Sequence, residues 1–412
     1  MQSLTIAYLA DYYSPGMGYV ENMLPKWFVR AGHRVHVLAS EFNVYGTDPN
    51  YRNFAELLGP ARESPGTLAV DGYWVHRLPT HVIGSYVCLH GLGSLLRRLK
   101  PDVIQAGAAA GLNTFRAAAA ALALRIPFFT ACHQAPFLAK AYAFNLGAAP
   151  LRGLWYRFTR TLPGAMVARA TVRCYVPNDG CAISATKLYG VPPAKVAVTG
   201  LASDTELFYP VESLESERER KELRSRLGFE ESEVVCIYTG QLDDRKQPML
   251  LARAVAGLRQ QGLPFRALFI GGGPVAESLA ATPGCMVLGW KKHCELPPFY
   301  RACDISVWPA LGSISMYDAA ACGLPFVVPQ HLTDRDIARG NSVVFRDNDL
   351  QDLQRALREL LQPDRRRQLG HAGAHLVRTR YSWRILAEQR LRDYVEAVQR
   401  YRSRRIGIPT GP

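Results

Sequence analysis

Short runs of β-branched and apolar residues alternate with amphipathic or alanine-rich stretches along nearly all of the 412-residue chain. That alternation is the mark of parallel α/β sheets. LTIAYLA (4–10) is predicted as a strand, YVENMLPKWFVRAG (19–32) as an amphipathic helix and HRVHVLAS (33–40) as a second strand. DVIQAG, PFFTACH and AMVARATVRCYVPND continue the strand series to about residue 205. The pattern then stops once, at SLESERERKELRSRLG (213–228), which reads as an exposed, charged helix opening a second domain. It restarts with VVCIYTG (234–240), a helix over 249–260, RALFIGGGP (266–274), CMVLGW (285–290), ISVWPA (305–310) and PFVVPQ (325–330). One core rarely serves a chain of this length. The expectation is an α/β protein of two Rossmann-like, doubly wound parallel-sheet domains facing a cleft between their strand carboxyl ends. The domains are expected at 1–205 and 206–380, followed by a terminal segment at 381–412.

Composition narrows the class. With 48% apolar and 20% charged residues, the chain has the balance of a globular enzyme. No run reaches membrane-spanning length, and the opening MQSLTIAYLADYYSP lacks the basic start and unbroken apolar core of a secretory signal. Nine cysteines without a CxxC pair read as reduced thiols rather than a disulfide frame or zinc site. The net charge of +14 is uneven: up to residue 205 there are 19 basic residues against 10 acidic. No acidic residue occurs between Asp102 and Asp179. In that stretch LRGLWYRFTRTL (151–162), at roughly 100° per residue, puts Leu151, Leu154, Trp155, Phe158 and Leu162 on one face and Arg152, Arg157 and Arg160 on the other. Such a helix suits an anionic membrane surface, and it equally suits a domain helix with its apolar face in the core. The basic residues follow no nucleic-acid-binding motif, so nucleic acid is not an expected partner.

The stretch GSISMYDAAACGLP (312–325) poses a chemical question. It follows the strand ISVWPA and precedes the strand PFVVPQ, and Ser315 to Cys322 is short, Ala-rich and closed by Gly323, as a brief helix would be. Gly312, Ser313, Ile314, Ser315 and Met316 then start that helix, where free N–H groups and the helix dipole favour an anion. Asp318, one turn on, would accept hydrogen bonds from sugar hydroxyls. An Ala-rich helix packed on a sheet with a surface aspartate accounts for the same residues.

Several loops at the predicted strand ends together resemble one family. YTGQLDDRKQPMLLARAV (238–255), FIGGGP (269–274), LGWKKHCELPPFYRACDISVWPA (288–310) and SISMYDAAACGLPFVV (313–328) look like the nucleotide-sugar domain of retaining GT-B glycosyltransferases of family four. GMGYVENMLPKWFVRAGHRVHVL (16–38) is similar to that family's first unit, GLASDTELFYP (200–210) to its linker, and YSWRILAEQRLRDYVEAV (381–398) to its terminal helix, which packs back on the first domain. The SIS-before-carboxylate form resembles members that build bacterial surface polysaccharides. The resemblance implies that Lys246 faces the leaving diphosphate, a role that calls for positive charge. It likewise implies that Gly18, Gly272 and the 312–316 turn approach the phosphates, that Asp318 holds the ribose, and that His133 faces the donor sugar or acceptor.

The chain departs from the family in three places. Asp318 stands where glutamate is usual, Ala310 stands eight residues before it where many members carry a second glutamate, and Gln241 replaces an arginine for which Arg245 would substitute. Asp334-Arg335-Asp336 fits a metal-binding DxD pattern, but three residues are weak evidence and no metal or cofactor is expected. The expected protein is a cytoplasmic retaining glycosyltransferase, peripheral on the inner face of the plasma membrane. It takes a nucleotide-diphosphate sugar as donor and a lipid-linked or glycan acceptor. Two alternatives are a catalytically silent partner subunit and a GT-B-like sugar-nucleotide epimerase.

Overall fold

The computed structural model describes residues 3–83, 86–134, 162–332 and 336–406. Its first sheet is assembled around β1 (Thr5–Ala10), all six residues of which are buried. β1 pairs in parallel with β2 (Arg34–Ser40) on one side, and further strands extend outward: an antiparallel hairpin of β3 (Gly66–Val70) and β4 (Tyr73–Leu78) joins through β4. A separate two-stranded hairpin is formed by β5 (Thr80–Ile83) and β6 (Tyr86–Leu89). On the other side of β1 come β7 (Val103–Ala106), β8 (Phe128–Ala131), β9 (Thr171–Val176) and β10 (Val196–Val198), all parallel. The order β10-β9-β8-β7-β1-β2-β4-β3 reverses direction at β1. The loops after β1 and β7 therefore diverge and leave a crevice at their carboxyl ends.

The second sheet repeats the plan with β11 (Val234–Thr239), β12 (Phe265–Ile270), β13 (Cys285–Leu288), β14 (Ile305–Val307), β15 (Phe326–Pro329) and β16 (Ser342–Phe345). All pairs are parallel in the order β13-β12-β11-β14-β15-β16. Its reversal falls between β11 and β14. These strands read as apolar runs because helices cover both faces of the sheet.

Two parts of the sequence reading are corrected. AMVARA does not belong to a strand: Leu162–Ala170 is a helix and β9 starts at Thr171, in keeping with the helix propensity of Ala, Met and Arg. The charged helix, Leu214–Arg226, is not simply exposed. Its Arg220 and Arg224 reach Asp304 at 2.7 and 3.1 Å, and Arg224 is 5% exposed. The β3–β4 hairpin, which the sequence reading did not pick out, turns at Asp71-Gly72, two residues whose φ angles are both positive, 46° and 85°.

The chain crosses between the sheets twice, side by side. Ser203 N donates to Tyr381 O at 2.9 Å, and Trp383 N donates to Ser203 O at 3.1 Å. From there the helix Trp383–Ile406 lies on the first domain. Its Tyr394 ring meets Phe28 and Phe129 at 5.7 and 4.6 Å, and its hydroxyl donates to Gln105 at 2.8 Å. Asp393 on the same helix accepts from Arg173 and from the Tyr175 hydroxyl. Two nearby crossings and a returning helix make the first core partly the work of the last residues of the chain.

Candidate functional site

The loops at the second sheet's reversal bring Gln241, Lys246 and Ser313 to one pocket of about 120 Å³, closed from the first domain by Met17, Tyr19 and Tyr45. The β11 loop is shaped by Asp243, whose Oδ1 accepts from Lys246 N at 3.0 Å just before the helix Pro248–Gln260. Arg245 is spent within the loop, on Gln241 Oε1 at 2.7 Å and Asp243 at 3.3 Å, and its side chain is exposed. The glycines of FIGGGP have a packing reason. Gly271 and Gly273 have φ of 147° and 155°, and a Cβ on either would overlap the carbonyls of Gly240 and Leu242. Gly272 lies under Trp290, 2.5 Å from its Nε1 to an added Cβ, and Trp290 Nε1 donates across the domains to Asn53 O at 2.9 Å. Gly272 thus leaves space for an interdomain tryptophan.

The helix start at Ser313 also differs from a free cradle. Ser315 N turns to Ser313 Oγ, Met316 N to Ser313 O at 3.2 Å and Tyr317 N to Ile314 O at 2.9 Å. Met316 is fully buried, and Ile314 packs against the first domain's core. Gly312 and Ser313 remain half-buried beside the cleft.

Asp318 is buried at the junction of the two domains. Its side chain is 3% exposed and turned away from solvent. Oδ1 accepts from the hydroxyl of Ser203 in the linker at 2.6 Å, and Oδ2 lies 3.1 Å from His293 Nε2. The carboxylate thus ties the domain junction together. His293, which the sequence reading missed, lies against Phe208 in a tilted arrangement with ring centroids 4.8 Å apart. Gly18 faces that ring from the first domain: an added Cβ would come within 2.6 Å of His293 Cε1 and nearer still to Nε2. Gly18 is therefore a close-approach position toward the His293 ring.

A larger cavity of about 470 Å³ occupies the first sheet's crevice, and Tyr45 lines both it and the interdomain pocket. Asp11, Glu21, Asp48 and His133 line it, and no lysine or arginine does among the described residues. Burial raises the Glu21 pKa from 4.5 to about 7. His133 is exposed on the cavity wall, and desolvation by the protein around it, with the Arg390 guanidinium, pushes its pKa down to about 4. The imidazole is thus neutral at pH 7. Tyr45 stands in the left-handed region at φ 62°, with its hydroxyl 3.0 Å from that of Tyr19 and its ring stacked on Phe54. A bulky residue held there marks a constrained position. Neither Glu21 nor Tyr45 announces itself in sequence; a carboxylate in the first helical turn and an aromatic in a loop are both commonplace.

Arg152, Arg157, Arg160 and Asp334 lie outside the described residues. At the position of the missing second glutamate, the Ala310 carbonyl accepts from His331 Nε2 at 2.6 Å, and His331 Nδ1 pairs with Asp347. All nine cysteines are free. No group of three His, Cys, Asp or Glu among the described residues is arranged to hold a metal ion. No described helix is long and apolar enough to cross a membrane.

Residues 16–207 match the family model described as Glycosyltransferase Family 4, and residues 233–363 match the one described as Glycosyl transferases group 1. A D-inositol 3-phosphate glycosyltransferase of Stackebrandtia nassauensis is 29% identical over 291 residues, 65% of this chain and 63% of that protein. One from Rhodococcus erythropolis is 27% identical over 236 residues, 52% and 51% of the two chains. The matches thus span less than two thirds of these relatives. Among solved structures, a glycosyltransferase from Rickettsia africae gives a TM-score of 0.68 at 11% identity, covering 97% of this chain and 99% of that one. The Anabaena protein HepE, in complex with UDP-glucose, gives 0.64 at 14% identity, covering 96% and 100%. At those identities the likeness is one of fold, the two facing Rossmann-like domains of the GT-B class.

Two outcomes follow from the geometry. Gly18→Ala forces a Cβ into the His293 ring, so it should cost about 1–3 kcal/mol of stability, the range for overpacking. The same substitution in a His293→Ala background should cost almost nothing; equal cost in both backgrounds, by urea unfolding, would remove the contact. Glu21 binds its proton more tightly folded than unfolded, so its contribution to stability is full below pH 4.5 and is lost as pH rises through about 7. The stability of the parent minus that of Glu21→Gln should therefore fall steadily between those pH values, and a flat difference would contradict the burial of this carboxyl.

Proposed function

We propose, from the premise that this chain carries a Glycosyltransferase Family 4 domain followed by a group 1 glycosyltransferase domain, that it transfers a sugar from a nucleotide-diphosphate donor to a hydroxyl-bearing acceptor. One observation carries this reading: Lys246 and Ser313 of one domain and Tyr19 of the other enclose a pocket that shares Tyr45 with the larger cavity of the first domain. The diphosphate belongs beside Lys246, whose charge offsets what develops on the leaving group. The acceptor belongs in the larger cavity, with its nucleophilic hydroxyl at Tyr45. Transfer is retaining and front-face: the donor's diphosphate oxygen takes the acceptor proton as the new glycosidic bond forms on the side the diphosphate leaves. No metal is required, because Lys246 takes the role of the cation.

The acceptor cavity has its own chemistry. Asp11, Glu21 and Asp48 suit the hydroxyls of a sugar or polyol ring, and they disfavour a phosphate there. The relatives are named for D-inositol 3-phosphate, so this chain's acceptor is read as a ring whose phosphate, if any, lies outside that cavity. A lipid-linked or glycan acceptor at the inner face of a bacterial plasma membrane, in surface-polysaccharide synthesis, fits this chemistry and the acid-free stretch 103–178. A second reading, a silent partner subunit, is favoured by Asp318 being committed to Ser203 and His293.

The deciding experiment is a panel of UDP, GDP and dTDP sugars, each with membrane extract or soluble polyols, followed by mass spectrometry. A product heavier by one sugar residue is expected with one donor, and Lys246→Ala should slow it on the order of 100-fold while leaving the fold intact. Donor binding without product would favour the silent subunit, and parental turnover in the alanine variant would take the lysine out of the mechanism.

A further inference from the structure

Two neighbouring helices on the flank of the first domain are apolar on the side that faces solvent. Leu112–Leu124 runs from the carboxyl end of β7 back to the start of β8, and Leu162–Ala170 packs beside it. Their inward faces are ordinary core: Ala117, Ala118, Ala121, Val167 and Ala168 are buried. Their outward faces carry Leu112 and Leu122 on one helix and Leu162 and Met166 on the other, each between 38% and 62% exposed. The positions between these, Ala119, Ala123 and Ala165, are exposed as well and add no polar group. A helix that is apolar all round belongs in a core or against lipid, so a pair of them at the surface asks for a partner.

The charge around this face has one sign. The pair holds Arg116 and Arg169, the helix Leu92–Leu99 packed beside it holds Arg97 and Arg98, and Lys100 and Arg125 cap two of the three helices. None of these helices contains an acidic residue, and neither do β6 and β7 beneath them. Arg116 is spent on Leu89 O and Cys88 Sγ, whereas Arg97, Arg98, Lys100, Arg125 and Arg169 are exposed. Asp102, just before β7, is already matched: it accepts from Thr5 N and from Arg402, each at 2.9 Å. The next helix along the chain, Asp179–Ile183, brings one acidic residue, Asp179, and Lys187 follows it.

A second copy of the chain fits this surface poorly, because a two-fold contact would set these cations against the same cations. A bilayer with anionic headgroups fits it well. The acyl region takes the leucine and methionine side chains, and the lipid phosphates take the arginines at the rim. We propose that the helix pair Leu112–Leu124 and Leu162–Ala170 is the surface by which this protein docks on an anionic membrane. The face is about 20 Å long, at 1.5 Å of rise per residue. One end of it lies beside the acceptor cavity, since Thr114, in the first turn of Leu112–Leu124, lines that cavity. A lipid-borne acceptor therefore reaches the cavity from the bilayer alongside it.

The test is flotation of the full chain with vesicles of phosphatidylcholine, alone or mixed with phosphatidylglycerol. Neither donor nor acceptor is added, so the outcome is independent of sugar transfer. Partition to the mixed vesicles should exceed that to the neutral ones at least about tenfold. Leu122→Ser with Met166→Ser should lower it by about tenfold or more, because apolar groups are lost from the bilayer. Arg125→Gln with Arg169→Gln should lower it on the order of tenfold on mixed vesicles only. All four side chains are exposed, so both variants should keep the parental Tm. Equal partition to the two kinds of vesicle, or parental partition by either variant, overturns the proposal. A dimer in light scattering that the serine pair abolishes also overturns it, and assigns the face to a second copy.

Discussion

A single buried carboxylate holds the junction between the two sheets. Asp318 sits inside the short helix that leaves the cleft, and it accepts from Ser203 while facing His293. Ser203 is also the residue through which the linker pairs with Tyr381 and Trp383. Hydrogen bonds to an ionised acceptor contribute roughly 1.5–3 kcal/mol each, and a buried charge stripped of its partners costs more than that. The positions of linker, returning helix and cleft helix are thus tied to one side chain. Gly18 completes the junction from the other domain, since only a residue without a Cβ leaves room for the His293 ring.

Charge is sorted around this junction. Lys246 stands at the small interdomain pocket, and carboxyl groups line the larger cavity of the first domain. Lys26 of the first domain pairs with Asp204 of the linker at 2.8 Å, with Asp204 buried, and Arg30 pairs with Glu206 beside them. In the proposed reaction a donor that carries a diphosphate and an acceptor that carries hydroxyls need opposite surroundings, and the two adjoining cavities differ in charge in that sense.

Most of the sheet architecture was legible because parallel strands covered on both faces must be apolar throughout, as TIAYLA and VVCIYT are. The glycines of FIGGGP were visible as a tight loop, but their reason was not. It depends on Trp290 and on the loop at 240–242, which no local pattern brings together. Asp318 shows the same limit more sharply. Its spacing from Ser313 marked a helix beside an anion site, whereas the direction of its carboxylate was fixed by Ser203, 115 residues earlier in the chain. Lys246 is placed at the cleft by the family resemblance of its loop, and in the structure that loop follows β11 at the sheet's reversal. Helix propensity, given too little weight, would have separated AMVARA from the strand that follows it.

The account stands on the nucleotide lying between the domains, beside Lys246. A crystal structure of the full chain with UDP, the nucleotide of the sugar bound in the Anabaena structure, tests this directly. The predicted result is diphosphate oxygens within about 3.2 Å of Lys246 Nζ, in the pocket shared with Ser313 and Tyr19. A diphosphate bound elsewhere, with that pocket and Lys246 untouched, would contradict it.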